Sequence, residues 1–251
     1  MKPNLEANRR LSIVVPAFNE ESRLERSLEA MAAYFAAQSY PWTITVVSDG
    51  SNDGTESLVT EFAKSHPEFS LLAYRPNRGK GYAVRRGMLG ADGDWVLFMD
   101  ADLATPLQET EKLLARMRDV AAVAIGSRPL KESRLEKHQP FIREALGRTA
   151  NGLVQLLAVR GISDTQCGFK MFTREAAQDV FRRCKLDGFS FDFEALMVAR
   201  DLGYRIDEVP IRWAHQEGSK VVFWRDYPRA LIDLVRLRMK GKAKRLERNE
   251  P

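Results

Sequence analysis

Hydrophobic positions along this chain fall into short unbroken runs that alternate with stretches repeating every three to four residues. That is the pattern of buried strands joined by amphipathic crossover helices. Leu11 to Val15 predicts a strand that stops at Pro16. Ser22-x-x-Glu25 predicts a capping box for a helix whose Leu24, Leu28, Met31 and Phe35 share one face. Thr43 to Val47 predicts a second strand. The turn-forming run Ser48 to Thr55 follows, with Thr55 as the expected cap of a helix carrying Leu58, Val59 and Phe62. Leu71 to Tyr74 reads as a third strand, and Asn77-Arg78-Gly79-Lys80-Gly81 opens a helix reaching the Asp92-Gly93 turn. Trp95 to Met99 is apolar throughout, which suits a central strand buried on both faces. Thr105, Pro106 and Gln108 then predict the start of a helix running to about Met117, and Val120 to Ile125 supplies a fifth strand.

After Gly126 the rhythm breaks. Ser127 to Gln139 is charged and reads as a loop; Phe141 to Val159 reads as a long helix with an apolar flank. Phe169 to Phe172 predicts a strand, Thr173 a helix cap, and Phe191 to Leu202 another helix. Ile206 to Trp213 predicts a strand that tolerates Pro210 and so belongs at an edge or bulge. Pro228 to Lys240 forms an amphipathic helix with Tyr227, Leu231, Leu234, Val235 and Met239 on its apolar side, and the tail from Gly241 is basic. Alternating strand and helix with short connections predicts an α/β fold with a mainly parallel central sheet, its strands ending in polar loops along one edge.

Composition narrows the function classes. The 251 residues, 44% hydrophobic, are enough for one substantial core. A formal charge of +5 favours anionic partners, yet no nucleic-acid module is present, which puts nucleic acid below a phosphorylated small molecule or an anionic membrane surface. Two cysteines, Cys167 and Cys184, without metal spacing point to a reducing compartment. No apolar run approaches the ~20 residues that span a bilayer, and the N-terminus lacks a signal-peptide core, so a cytoplasmic location is expected.

The chemistry centres on Asp100 and Asp102, separated only by Ala101 at the end of the most buried strand. Carboxylates at i and i+2 repel unless a positive charge lies beside them. Taken alone, D-x-D suits a solvated turn as well as a site; its position outside the end of a central strand favours a crevice-facing pair of hard oxygen ligands for Mg²⁺ or Mn²⁺, completed by water and a diphosphate. Gly79-Lys80-Gly81 completes neither Walker nor dinucleotide patterns; its glycines are expected to let backbone approach a nucleotide, and Lys80 reads equally as a contact or a solvated lysine.

The ordered set VVPAFNEE, VVSDGSNDGT, NRGKG, MDADLATP, GSR, DTQCGFK, FDFE and EGSK resembles the inverting glycosyltransferases of family 2, and within them the polyprenyl- and dolichyl-phosphate glucosyltransferases, next to the mannose synthases. The resemblance implies a nucleotide-sugar-binding, glycosyltransferase A-type α/β/α sandwich with interfacial C-terminal helices. With the hydrophobic pattern, the expected division of the chain is a tail at 1–10, a catalytic domain at 11–223, an amphipathic helix at 224–240 and a basic tail at 241–251. The resemblance also implies nucleotide contacts at Pro16, Phe18, Glu20, Val47, Asp49, Asp100 and Ala101, to which the residue pattern adds Lys80 as a candidate, a metal on Asp100 and Asp102, and charge toward the diphosphate or acceptor phosphate from Arg128 and Lys220. Arg143 and Arg148 are further acceptor-phosphate candidates, His215 a looser one near the metal. Ser48 and Ala104 depart from the family pattern, where a second acid and an amide ligand occur. Asp192 holds the place of a general base, which a hydroxyl acceptor needs and an already anionic phosphate does not.

The expected activity is metal-dependent inverting transfer of a hexose, with glucose from UDP-glucose the leading reading, onto polyprenyl phosphate by a protein peripherally attached to the cytoplasmic face of an anionic membrane. The alternatives are a GDP-mannose donor, a soluble hydroxyl acceptor, or a nucleotide-sugar-binding regulatory protein without turnover.

Overall fold

The computed structural model describes residues 9–119, 121–137, 159, 161–214, 230, 232–237 and 239. In chain order the elements are β1 Leu11–Ala17, α1 Glu21–Ala36, β2 Trp42–Asp49, α2 Thr55–Ser65, β3 Phe69–Tyr74, α3 Lys80–Gly90, β4 Trp95–Met99 and α4 Glu109–Asp119. They continue with β5 Val123–Ser127, β6 Arg134–Lys137, β7 Phe169–Thr173, α5 Arg174–Arg183, α6 Phe191–Asp201, β8 Ile206–Pro210 and β9 Arg212–Ala214.

Seven strands form one sheet in the order β3-β2-β1-β4-β7-β5-β8. All neighbours are parallel except β7, which runs antiparallel to both β4 and β5. β4 is buried at every residue, as its apolar run requires. Alternate strand residues face two separate cores. Ile13, Val15, Leu97 and Met99 pack with Leu24, Leu28 and Phe35 of α1 and Leu113 of α4 on one side. Val14, Val96, Phe98 and Phe172 pack with α3, α5 and α6 on the other. Helices on both faces of the sheet make the α/β/α sandwich. The chain winds outward from β1 through β2 to β3, then crosses back to place β4 on the other side of β1. That reversal is a topological switch point, and it opens a crevice beyond the carboxyl ends of β1 and β4.

Several local expectations are overridden by tertiary bonds. The Ser22-x-x-Glu25 box does not start α1: the helix begins at Glu21, and the loop after β2 caps it. Ser51 Oγ accepts the Asn19 N–H, Thr55 Oγ1 the Glu20 N–H and Asp53 the Glu21 N–H. Thr55 is therefore not the cap of α2, which falls to Gly54. α4 starts at Glu109 rather than Pro106, because the N–H groups of Glu109, Thr110 and Glu111 each close on the carbonyl three residues back. The fifth strand begins at Val123. Within the expected loop Ser127–Gln139, Arg134–Lys137 is a strand that pairs in parallel with β9. The strand expected over Ile206–Trp213 divides at Ile211, its first half being the sheet's edge and its second half the partner of β6. Thr173 does cap α5, accepting the Ala176 N–H at 3.2 Å.

Of the C-terminal helix, residues 232–237 are helical. Leu234, expected on a lipid-facing flank, is instead fully buried in the second core, while Ile232, Val235 and Met239 are 50%, 51% and 67% exposed. The helix expected over Phe141–Val159 lies outside the described residues except for Val159, which is buried. No helix among the described residues is long and apolar enough to cross a membrane.

Candidate active site

The crevice at the switch point gathers the loops after β1, β2 and β4. Directly beyond β4, Asp100 donates its N–H to the Gly168 carbonyl, and its carboxylate meets Lys80 Nζ at 2.5 Å. Gly168 is required here: a Cβ at that position would lie 2.0 Å from Asp100 Oδ2, so the missing side chain is the space the carboxylate occupies. Leu103 adopts a positive φ of 52°, and Asp102 Oδ1 accepts the Ala104 N–H at 3.0 Å, so a tight left-handed turn fixes the second carboxylate beside the first. Burial and the neighbouring Asp100 charge push the Asp102 carboxyl above its ordinary range. Burial works against the Lys80 ammonium, but Asp100, Asp192 and Asp102 outweigh it and hold the lysine charged. Lys80 is thus part of the acidic centre.

Asp49 reaches the same region indirectly. It is 3% exposed, and its carboxylate accepts Tyr74 Oη, Asn77 Nδ2 and the N–H groups of Arg78 and Gly79 at 2.7–2.9 Å. Four donors use the acceptor sites of a carboxylate, so this side chain fixes the loop that presents Lys80 at the start of α3. The glycines of that loop, expected to let backbone approach a nucleotide, are packed against the protein's own backbone. Cβ atoms on Gly79 and Gly81 would fall 2.5 Å from the carbonyls of Asp187 and Leu186, so the close approach is to the backbone of 186–188. Ser48 is fully buried and donates to Glu56 at 2.6 Å, which turns it away from the crevice.

Glu20 is 7% exposed and paired with Arg23, whose guanidinium also feels Asp102 and Asp100. Pro16 and Phe18 are half-buried at the end of β1, and Ala101 is 5% exposed between the two acids. Val47 is fully buried in the second core, which commits its side chain to packing.

Arg128 follows β5 and grips Asp164 side-on, Nε at 2.6 Å and Nη2 at 2.9 Å. Burial pushes the Asp164 carboxyl up, but Arg128 more than offsets it and holds it below its ordinary range. Asp192, at the start of α6, is bonded to the fully buried Lys170 at 2.5 Å; the Lys170 ammonium also donates to the Cys167 carbonyl at 2.6 Å. Burial raises the Asp192 carboxyl, against the pull of Lys170 and Lys80. Lys170, Asp164 and Arg23 join the site without having been expected from the sequence. Lys170 does leave a signal there, being the one charge in the apolar run Phe169 to Phe172. Lys220, Arg143, Arg148 and His215 lie outside the described residues.

Asp100, Ala104, Thr105, Gly168, Phe169 and Trp213 line a small cavity beside the acid pair. Among the described residues no cluster of three metal-ligating side chains exists. Two crowded hard-oxygen carboxylates, one in a cradle that any side chain on Gly168 would fill, nevertheless fit a divalent cation that takes its remaining ligands from water and a substrate phosphate.

Comparison with known proteins agrees with this architecture. The signature of the family described as Glycosyl transferase family 2 matches residues 12–181. The dolichyl-phosphate beta-glucosyltransferase of Drosophila melanogaster is 40% identical over 236 residues, covering 88% of this chain and 71% of its own. That of Homo sapiens is 35% identical over 230 residues, covering 86% and 71%. Among solved structures, glucosyl-3-phosphoglycerate synthase from Mycobacterium tuberculosis in complex with Mn²⁺, uridine-diphosphate-glucose and phosphoglyceric acid superposes with a TM-score of 0.67 at 19% identity over 92% of this chain and 79% of that one. Mannosyl-3-phosphoglycerate synthase from Rubrobacter xylanophilus gives 0.68 at 20% identity, over 94% and 75%.

Proposed function

The chain belongs to glycosyl transferase family 2, and from that premise we propose that it transfers glucose from UDP-glucose to the phosphate of a polyprenyl lipid with inversion at the sugar C1. The observation that carries this reading is the Asp100–Asp102 pair at the switch-point crevice, flanked by Lys80, in a chain 35–40% identical over most of its length to dolichyl-phosphate beta-glucosyltransferases. A divalent cation held by Asp100 and Asp102 supplies Lewis-acid stabilisation to the departing diphosphate when bound. Lys80 keeps the acid pair in place and lowers its net charge. Arg128 adds positive charge where the acceptor phosphate and the leaving group crowd together, and Lys220 is assigned the same task on sequence grounds. A phosphate oxygen forms the new bond to C1 as the C1–O bond to UDP breaks, and UDP leaves with the electron pair. No proton need move, since a phosphate monoester is already anionic near neutral pH. Asp192 is therefore free of base duty; its carboxylate is engaged with Lys170.

Radiolabelled UDP-glucose and GDP-mannose, each offered with and without polyprenyl phosphate, test this directly. Label from UDP-glucose is expected to enter organic solvent only when the lipid is present. Label from GDP-mannose instead would transfer the reading to a mannosyltransferase, and absence of UDP release with any acceptor would leave a binding protein.

Lipid substrate implies work at a membrane surface. Ile232, Val235 and Met239 project from the C-terminal helix with Arg236 exposed among them, a combination suited to reversible attachment to anionic lipid. Cys167 and Cys184 are both buried free thiols, in keeping with the reducing cytoplasmic side. The protein is expected to float with anionic liposomes at low salt and to be released at high salt; sedimentation away from the vesicles at low salt removes the attachment.

A further inference from the structure

An arginine that receives an anionic acceptor, the role the proposed transfer gives Arg128, works best when its guanidinium is held in one orientation before the acceptor arrives. Asp164, 2% exposed, takes the Arg128 backbone N–H at 3.1 Å as well as the side chain, so main chain and guanidinium are fixed by one carboxylate. The side-on grip occupies the Nε–Nη2 edge and turns the Nη1 edge of the fork away from Asp164. On another side the guanidinium carbon lies 5.4 Å from the Trp213 ring, a residue lining the cavity beside Asp100.

Asp164 sits in an irregular loop, where no strand or helix holds it. It is held by Glu208, on the edge strand β8. Oε1 of Glu208 accepts the Asp164 N–H at 3.0 Å and the Ser127 hydroxyl at 2.6 Å, and Oε2 accepts the Ser163 N–H at 2.7 Å. Ser127 is the last residue of β5 and immediately precedes Arg128. One carboxylate therefore joins the edge strand, the loop and the strand end from which Arg128 projects. Resting on the reading of Arg128 as an anion ligand, we propose that Glu208 and Asp164 are positioning residues for the transfer. Glu208 fixes the loop and Asp164 the guanidinium, so that Arg128 meets the acceptor phosphate already oriented. Such a chain of fixed groups lowers the ordering that binding must otherwise impose.

The experiment measures KM for UDP-glucose and for polyprenyl phosphate in detergent micelles. Glu208→Gln keeps the shape but brings an amide NH₂ toward groups that all donate. It is expected to raise the acceptor KM about tenfold, the worth of one lost charge-assisted hydrogen bond, while the donor KM stays within about twofold. Asp164→Asn is expected to raise the acceptor KM by more. Glu208→Asp, which keeps the charge, is expected to recover part of the loss. Asp207→Asn, next along β8 and paired with Arg205 at the surface, is expected to move neither constant. A folded Glu208→Gln with unchanged acceptor KM, or with both KM values raised alike, overturns the proposal. Should that variant not fold, Ser127→Ala removes one of the three bonds and is read the same way. A wild type that releases no UDP with polyprenyl phosphate is a different result, because it removes the functional reading itself.

Discussion

Asp102→Ala is expected to lower turnover with UDP-glucose and polyprenyl phosphate by about a thousandfold or more, with the fold intact. The size follows from the charge developing on the departing diphosphate: losing about 4 kcal/mol of its stabilisation corresponds to three decades of rate. Fold stability is expected to hold or rise slightly in chelator. Asp102 is half-buried beside Asp100, and both influences raise its carboxyl pKa in the folded protein. A carboxyl raised on folding binds its proton more tightly in the native state, so the ionised form opposes folding as pH rises above the unfolded value. Removing it relieves that opposition at neutral pH. Loss of function without loss of stability is what a site residue predicts and a structural turn does not. Gly168→Ala should give the same phenotype from the other side, since its Cβ would collide with Asp100 Oδ2. Titrating UDP in the presence of Mn²⁺ supplies an independent readout. Heat is expected with the wild type and not with either variant, and an alanine variant that retains turnover contradicts the cation assignment.

The features legible in the chain are those that local pattern alone decides. Trp95–Met99 is apolar at every position and becomes the fully buried β4. Asp100 and Asp102 follow it directly, so the acidic centre falls at a strand end on sequence alone. The features that are not legible depend on partners far away in sequence. Phe169–Phe172 reads as a strand in either direction, and only its pairing with β4 and β5 makes it the antiparallel member of the sheet. Arg134–Lys137 has no hydrophobic alternation; it is a strand because Arg212–Ala214 lies beside it. The local capping box at Ser22 loses to three bonds from the loop at 51–55. The site shows the same division. Asp49 and Ser48 both end β2, yet one organises the loop before α3 and the other is buried against Glu56, a difference set by Asn77, Arg78 and Glu56 rather than by their own neighbours. Asp164 stands within a motif, but its pairing with Arg128 spans 36 residues and has no local trace.

Lys170→Met is expected to cost about 3–5 kcal/mol of stability, against the roughly 5–15 kcal/mol that holds an ordinary domain. The lysine is fully buried between Asp192 and the Cys167 carbonyl, and its side chain lies over the Phe98 ring at 5.2 Å. Methionine fills the volume but leaves the Asp192 carboxylate buried without its bonded ammonium and a carbonyl without a donor. Thermal midpoints should fall by roughly 6–20 °C for a chain of this size. The double variant Lys170→Met/Asp192→Leu removes both charges together, and it should recover most of the loss because no uncompensated ion remains. Activity then separates two roles for Asp192. Lys80 and Arg128 both feel its charge, so a carboxylate that only neutralises Lys170 leaves the double variant active, whereas one that also orients the site's cations leaves it stable and impaired. The second outcome is the expected one, with transfer reduced at least tenfold and no change in the form of its pH profile, since a phosphate acceptor requires no base. A restored double variant with wild-type transfer would confine the pair to the core.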